Sequence, residues 1–203
     1  MDQQDNKKQR HQQRMKRQKQ VVDDSIKRAD KDKGLLLVIT GNGKGKSSSG
    51  FGMVARALGH GMRVAVIQFI KGAFSTGEET FFRRFPEDVA YHTVGDGFTW
   101  DTQNLEQDIV SAEAGWQLCQ RYLSDPDFDL VLLDELNIVL KMKYLDTDSV
   151  VSDLQKRPQM QHVIITGRGA SDELIAAADT VSRIDDIKHA FGAGIRAQKG
   201  IEL

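Results

Sequence analysis

Apolar residues in this chain fall into two kinds of stretch that take turns. Leu35-Leu-Leu-Val-Ile-Thr40, Arg63-Val-Ala-Val-Ile-Gln-Phe69, Val89 to Val94, Phe128 to Leu133 and His162 to Thr166 are short and close to continuously apolar, the pattern of strands buried on both faces. Between them, apolar positions return at helical spacing. Gly50-Phe-Gly-Met-Val-Ala-Arg-Ala-Leu58 follows the first strand, a short helix runs to Arg84, and Asn104 to Leu123 sets Leu105, Ile109, Ala112, Trp116 and Leu123 on or near one face. Thr147 to Arg157 reads as a further helix, with Asp146 or Thr147 as its cap and Pro158 as its stop. One more helix and strand close the chain. Strands and helices in alternation predict an α/β protein, a mostly parallel sheet flanked by helices on both faces, with ligands gathering at the carboxyl ends of the strands.

The junction between the first strand and its helix carries the most chemistry. Thr40-Gly-Asn-Gly-Lys-Gly-Lys-Ser47 places a glycine-lysine turn directly before a run of small residues. Backbone N–H groups of Gly43 to Lys46 can curl round anionic oxygens, and the helix opening near Ser47 adds its positive end. Lys46 would reach the outer phosphates, while the Ser47 hydroxyl offers one oxygen to magnesium. These features predict a P-loop NTPase-like, RecA-like fold, with Gly41, Asn42, Gly43, Lys44, Gly45, Lys46 and Ser47 around ATP. The loop is irregular: Thr40 stands where the standard pattern has its first glycine, and counting from Gly41 leaves one residue too few. A plain surface turn would not need a buried-type strand before it and an apolar helix after it. A dinucleotide fingerprint fails because Lys46 occupies the place of its last glycine and no acid ends the strand Val64 to Phe69.

Further candidates stand at the other strand ends. Leu130-Val-Leu-Leu-Asp-Glu135 closes an apolar run on two acids, the way nucleotide-binding sheets present a metal-organising carboxylate. Glu135 is the expected metal ligand beside Ser47, with Asp134 supporting it by hydrogen bonds. In Thr166-Gly-Arg-Gly169 the flanking glycines would let Arg168 swing to a phosphate, although a surface ion pair fits the same residues. Arg56 has the same two readings, phosphate or ribose contact against an ion pair in helix packing. Gly95-Asp-Gly-Phe-Thr-Trp-Asp101 sets Phe98 and Trp100 in a glycine-rich loop, suited either to local packing or to a flat apolar ligand. The histidines, His11, His60, His92, His162 and His189, show no metal-ligand spacing.

Composition narrows the classes. With 203 residues and 39% hydrophobic content, the apolar material suffices for one core, so residues 34–203 are expected to form a single domain. Of 28 Lys+Arg and 29 Asp+Glu, residues 1–33 hold 11 and 6, leaving 17 and 23 for the rest; head and body carry opposite net charge. That basic, glutamine-rich head has three readings: a solvated tail, a nucleic-acid arm, or a helix that orders conditionally, since Met15, Val22 and Ile26 fall close to one helical face. Asp23, Asp24, Asp30 and Asp32, and the lack of interleaved aromatics, speak against nucleic acid. Cys119 is the one cysteine, which excludes an intramolecular disulfide and a cysteine-cluster metal site. Neither a signal peptide nor a run long enough to span a bilayer is present, so a cytoplasmic protein is expected.

Seven blocks in order, Thr40 to Ser47, Arg56-Ala-Leu-Gly-His-Gly61, Val66-Ile-Gln-Phe-Ile-Lys-Gly72, Gly97-Phe-Thr-Trp100, Leu133-Asp-Glu-Leu136, Ile164-Ile-Thr-Gly-Arg-Gly169 and Lys188-His-Ala-Phe191, resemble the P-loop ATP:corrinoid adenosyltransferases. The resemblance runs from about Gly34 to the C-terminus, and Ser47 replaces the threonine usual in that family. It implies transfer of the 5′-deoxyadenosyl group of ATP to cobalt(I) of a corrinoid, cobalamin or cobyrinic acid a,c-diamide, with release of triphosphate, in adenosylcobalamin biosynthesis or corrinoid salvage. It also implies ATP bound in reversed orientation, magnesium or manganese at Ser47 and Glu135, and an electron donor such as a reduced flavoprotein. In the family the matching aromatic pair packs under the corrinoid and displaces its axial ligand, the role implied for Phe98 and Trp100. With Lys46 they make up the implied catalytic set. The head would fold over the corrinoid, across a homodimer. Two readings compete with it: a P-loop ATPase acting as a regulatory or nucleic-acid-associated switch, and a carrier that binds without turnover.

Overall fold

The computed structural model of the chain describes residues 2–70, 76–94 and 105–202. Its contacts divide the chain into two units, Met1–Asp32 and Lys33–Leu203. The first unit is a helix, α1 (Asp2–Arg28). Its glutamines, lysines and arginines are good helix formers despite burying little, and Met15, Val22 and Ile26 lie exposed along it.

In the second unit a six-stranded sheet has the order β3-β2-β4-β5-β1-β6. The strands are β1 (Leu36–Thr40), β2 (Val64–Phe69), β3 (Val89–Val94), β4 (Leu130–Asp134), β5 (His162–Thr166) and β6 (Thr180–Arg183), and every pairing is parallel. The helices are α2 (Lys46–Leu58), α3 (Gly77–Phe82), α4 (Leu105–Leu123), α5 (Leu136–Lys141), α6 (Thr147–Gln155) and α7 (Asp172–Ala177). A single turn of 3-10 helix spans Ala190–Ala193.

Strands β1, β2, β4 and β5 are covered on both faces, while the edge strand β6 is exposed, and the strand period of two sorts their side chains between the faces. Val38, Ile67, Leu133 and Ile165 pack with Trp116 and Cys119 of α4, Leu154 of α6 and Leu174 of α7. Their neighbours Ile39, Val66, Leu132 and Ile164 pack with Phe51 and Val54 of α2 and Phe82 of α3. Asp146 caps α6 by accepting from the Ser149 N–H. The expected helices and strands appear with ends shifted by a residue or two. Helix α5 is new: six residues, entered through Glu135 without a side-chain cap, it has no start signal for a sequence reading to find.

Helix α2 approaches the sheet most closely at Gly50, where a Cβ would stand 2.9 Å from Leu132 Cδ1 and 3.2 Å from Thr166 Cγ2. This contact sets the height of the preceding loop above the strand ends. Gly50→Val should therefore lower the unfolding free energy by about 1–3 kcal/mol through overpacking, against a helix-propensity gain below about 1 kcal/mol. Urea unfolding with an unchanged or raised midpoint would contradict that packing.

Candidate functional site

The loop joining β1 to α2 turns on two glycines in the left-handed region, Gly41 at φ 103° and Gly45 at φ 107°. Gly41 and Gly43 are pressed against the chain that leaves β6: a Cβ on Gly41 would lie 2.3 Å from the Ile184 carbonyl oxygen, and one on Gly43 2.5 Å from that of Asp185. Only glycine tolerates such approach. The Gly43 N–H donates to the Ile184 carbonyl at 2.8 Å. It is thus spent on holding the loop, which corrects the expectation that the anion-facing N–H groups begin at Gly43. The N–H groups at the start of α2 have no acceptors within the helix, and they open toward the loop with the positive helix end.

Lys46 is buried, with its ammonium folded back to donate to the Gly43 carbonyl at 2.6 Å. Burial lowers its pKa, and the Glu135 carboxylate opposes that fall. Glu135 follows β4 at φ 63°, an uncommon conformation for a residue with a Cβ. Its Oε2 is buried without a hydrogen-bond partner. Burial, then the neighbouring Asp134 charge, pushes its carboxyl from the ordinary 4.5 up to about 7, with Lys46 and Arg168 pulling the other way. Burial of that oxygen therefore weakens the hydration of the charged carboxyl.

Asp134 is placed differently. Its Oδ2 accepts from Gln68 Nε2 at 2.9 Å and its Oδ1 from Thr166 Oγ1 at 2.6 Å, so both oxygens are engaged within the sheet. Of the two acids, only Glu135 has an oxygen left over. Gly167, at φ 123°, passes close to it: a Cβ there would stand 3.0 Å from Glu135 Oε2. Asn137 Nδ2 donates to the Gly167 carbonyl at 3.0 Å and holds this turn. Arg168 is exposed on the same turn, close enough for its charge to act on both Lys46 and Glu135.

Loop, Lys46, Ser47, Glu135 and Arg168 thus meet at the carboxyl ends of β1, β4 and β5. Arg56 does not join them; ten residues into α2, it stands about 15 Å along the helix axis from Lys46. Phe98 and Trp100 lie outside the described residues. Gln68, Thr166 and Asn137 were not anticipated, although a polar residue inside an apolar strand, as in Val66-Ile-Gln-Phe69, is a readable sign. A divalent cation of the magnesium type fits the donor set on one observation, the buried carboxylate oxygen of Glu135 that lacks a partner. Among the described residues no group of three His, Cys, Asp or Glu gathers as a metal cage, and a hard cation completed by water and phosphate needs none.

A parallel sheet with helices on both faces, a glycine-lysine loop before α2 and two acids where β4 ends define an α/β protein whose candidate site lies at the carboxyl ends of its strands. Comparison with known proteins narrows that class. The family model for ATP:corrinoid adenosyltransferase BtuR/CobO/CobP matches residues 32–203. A corrinoid adenosyltransferase of Pseudomonas aeruginosa is 63% identical over 96% of this chain and 96% of its own. One from Escherichia coli is 46% identical over 95% and 97%, as is the corrinoid adenosyltransferase CobA of Salmonella typhimurium. The chain belongs to the ATP:corrinoid adenosyltransferase family. Among solved structures, domain III of the Thermotoga maritima replication initiation protein DnaA matches with a TM-score of 0.36 at 12% identity, over 73% of this chain and 53% of that one; the fold is read from the sheet itself.

The Glu135 carboxyl supplies a test by pH. Its folded pKa of about 7 lies above the ordinary 4.5, so the folded state holds more protons between those values and loses stability as pH rises through them. In protein free of metal and nucleotide, Glu135→Gln should be more stable than the parent near pH 7.5. The advantage should shrink toward pH 5. Denaturant titrations across this range that gave a constant difference would show that Glu135 is not held at such a cost.

Proposed function

We propose that this chain transfers the 5′-deoxyadenosyl group of ATP to cobalt(I) of a corrinoid and releases inorganic triphosphate. The cobalt(I) electron pair forms the cobalt–carbon bond to the 5′-carbon, the bond from that carbon to the 5′-oxygen breaks, and its pair leaves with the triphosphate. Cobalt ends formally as cobalt(III). The observation that carries the reading is the grouping of Lys46, Ser47 and Arg168 about the phosphate loop in a chain of this family, an arrangement suited to holding a polyanionic leaving group.

In this reading Gly41, Asn42, Gly43, Lys44 and Gly45 shape the cradle, and the N–H groups opening α2 hold the phosphate oxygens. Lys46 leaves the Gly43 carbonyl for the phosphate chain. Its burial makes that exchange favourable, because an anion relieves an ammonium that water reaches poorly. Arg168 comes to the phosphates from the other side on its pair of left-handed glycines. Ser47 and Glu135 hold magnesium or manganese, which when bound neutralises charge on the triphosphate. Arg56 touches the nucleotide only where the ligand extends along α2. Phe98 and Trp100 pack on the corrinoid and remove its lower axial ligand, so that a donor such as a reduced flavoprotein can supply the electron that makes cobalt(I). The protein works as a homodimer in the cytoplasm, a setting suited to ATP and a reduced corrinoid.

ATP hydrolysis is the second reading, and Glu135 favours it: a carboxyl near 7 would suit a general base acting on water. One assay separates the two. Anaerobic incubation with chemically reduced cob(I)alamin, ATP and magnesium should yield adenosylcobalamin and triphosphate in equal amounts, followed by absorbance and phosphorus NMR. ADP and phosphate without alkylated cobalt would establish the ATPase. Lys46→Ala should lower kcat/KM for adenosyl transfer by about a hundredfold or more. Phe98→Ala and Trp100→Ala should lose the four-coordinate cobalt(II) signal on binding cob(II)alamin with ATP, while transfer from chemically supplied cobalt(I) survives in part. An intact signal would remove these two residues from the corrinoid site.

A further inference from the structure

A chain of side-chain hydrogen bonds runs across the sheet beneath α2 and ends on the backbone of Glu135. The Tyr91 hydroxyl donates to Gln68 Oε1 at 2.5 Å. Gln68 Nε2 donates to Asp134 Oδ2 at 2.9 Å. From the opposite side Thr166 Oγ1 donates to Asp134 Oδ1 at 2.6 Å, and the Glu135 N–H donates to that same Thr166 oxygen at 3.0 Å. Tyr91, Gln68, Asp134 and Thr166 are all buried. The register Val66↔Tyr91 and Gln68↔Asp134 puts the first three on one face of the sheet, and the Thr166 methyl reaches Gly50 of α2 on that side. Phe51 of α2 stacks on the Tyr91 ring at 6.3 Å.

The direction of these bonds matters. The Tyr91 hydroxyl fixes the Gln68 amide with its oxygen outward and its nitrogen toward Asp134, and Asp134 accepts on both oxygens. The Thr166 proton is thereby committed to Asp134, which leaves the Thr166 oxygen as the acceptor for the Glu135 N–H. Glu135 sits at φ 63°, a conformation that persists only where its surroundings hold it. Without the Tyr91 hydroxyl, the Gln68 amide keeps its nitrogen on Asp134 but loses the partner that pins its oxygen, so Asp134, and with it the Thr166 hydroxyl that receives the Glu135 N–H, is held less firmly.

We propose that Tyr91 and Gln68 are positioning residues for Glu135, acting through Asp134 and Thr166 to aim its unpartnered carboxylate oxygen at the metal that accompanies ATP. The inference rests on the adenosyltransferase reading only in taking Glu135 as the ligand of that metal. Buried polar groups must find partners in any fold; a positioning role adds that the loss appears in metal-linked binding.

The test is calorimetric titration of the full chain with ATP, with magnesium and with EDTA. Tyr91→Phe keeps the ring on Phe51 and removes only the hydroxyl; Thr166→Val keeps the shape and removes the other hydroxyl. Each should lose about tenfold of the affinity gained from magnesium, with the EDTA affinity unchanged within about twofold. Thr166→Ser should restore the parent value. Equal losses with and without magnesium, no loss in either, or a parent whose ATP binding ignores magnesium would each overturn the proposal. If Thr166→Val does not fold, Tyr91→Phe decides alone. Adenosylcobalamin formation by the parent is scored separately. Magnesium-linked losses in a chain that makes no adenosylcobalamin would sink the proposed reaction and leave the positioning role standing, and turnover without such losses would do the reverse.

Discussion

The glycine-lysine loop is clamped between its own strand and the chain leaving β6, and the rest of the site depends on that clamp. Gly41 and Gly43 meet the Ile184 and Asp185 carbonyls at distances no side chain could share, and the Gly43 N–H is spent on Ile184. The segment that completes the sheet last in sequence thus closes the first motif. Because β6 pairs with β1 in parallel, both strands deliver their carboxyl ends to the same edge, and the loop has one place to go. Gly50 then seats α2 on Leu132 and Thr166, so the helix end and the acids after β4 share one height.

Within that frame the site keeps two charges in poor contact with water. Lys46 has a backbone carbonyl for its partner, and Glu135 keeps an oxygen with none. Each is costly alone, and in the proposed function each is relieved, the lysine by phosphate and the carboxylate by a phosphate-bound cation. Asp134 shows the contrast. One residue earlier, with both oxygens engaged, it is built into the sheet and has no oxygen to spare.

Much of this was legible in the chain. Continuous apolar strands alternating with helical spacing foretold the parallel sheet, since burial on both faces leaves few polar positions in a strand. The glycine-lysine loop, the acids after β4 and the arginine between glycines named the residues that meet. Helix α5 was hidden because it is short and enters through a left-handed glutamate rather than a cap. The basic head was ambiguous because its composition argues against a core while its residues favour a helix, and α1 is the outcome.

Sequence by itself determined which residues are candidates for the chemistry, because a loop that wraps phosphate needs glycine and lysine at set spacing, and spacing along one turn of chain is a local property. It also determined the family, through motifs in order over most of the length. Only the tertiary structure decided which acid has a free oxygen, which N–H of the loop is already used, and that Arg168 joins Lys46. It alone connected Tyr91 and Gln68 to Glu135. These are matters of register between strands distant in sequence, and hydrogen bonds across a parallel sheet exist only once the strands lie side by side.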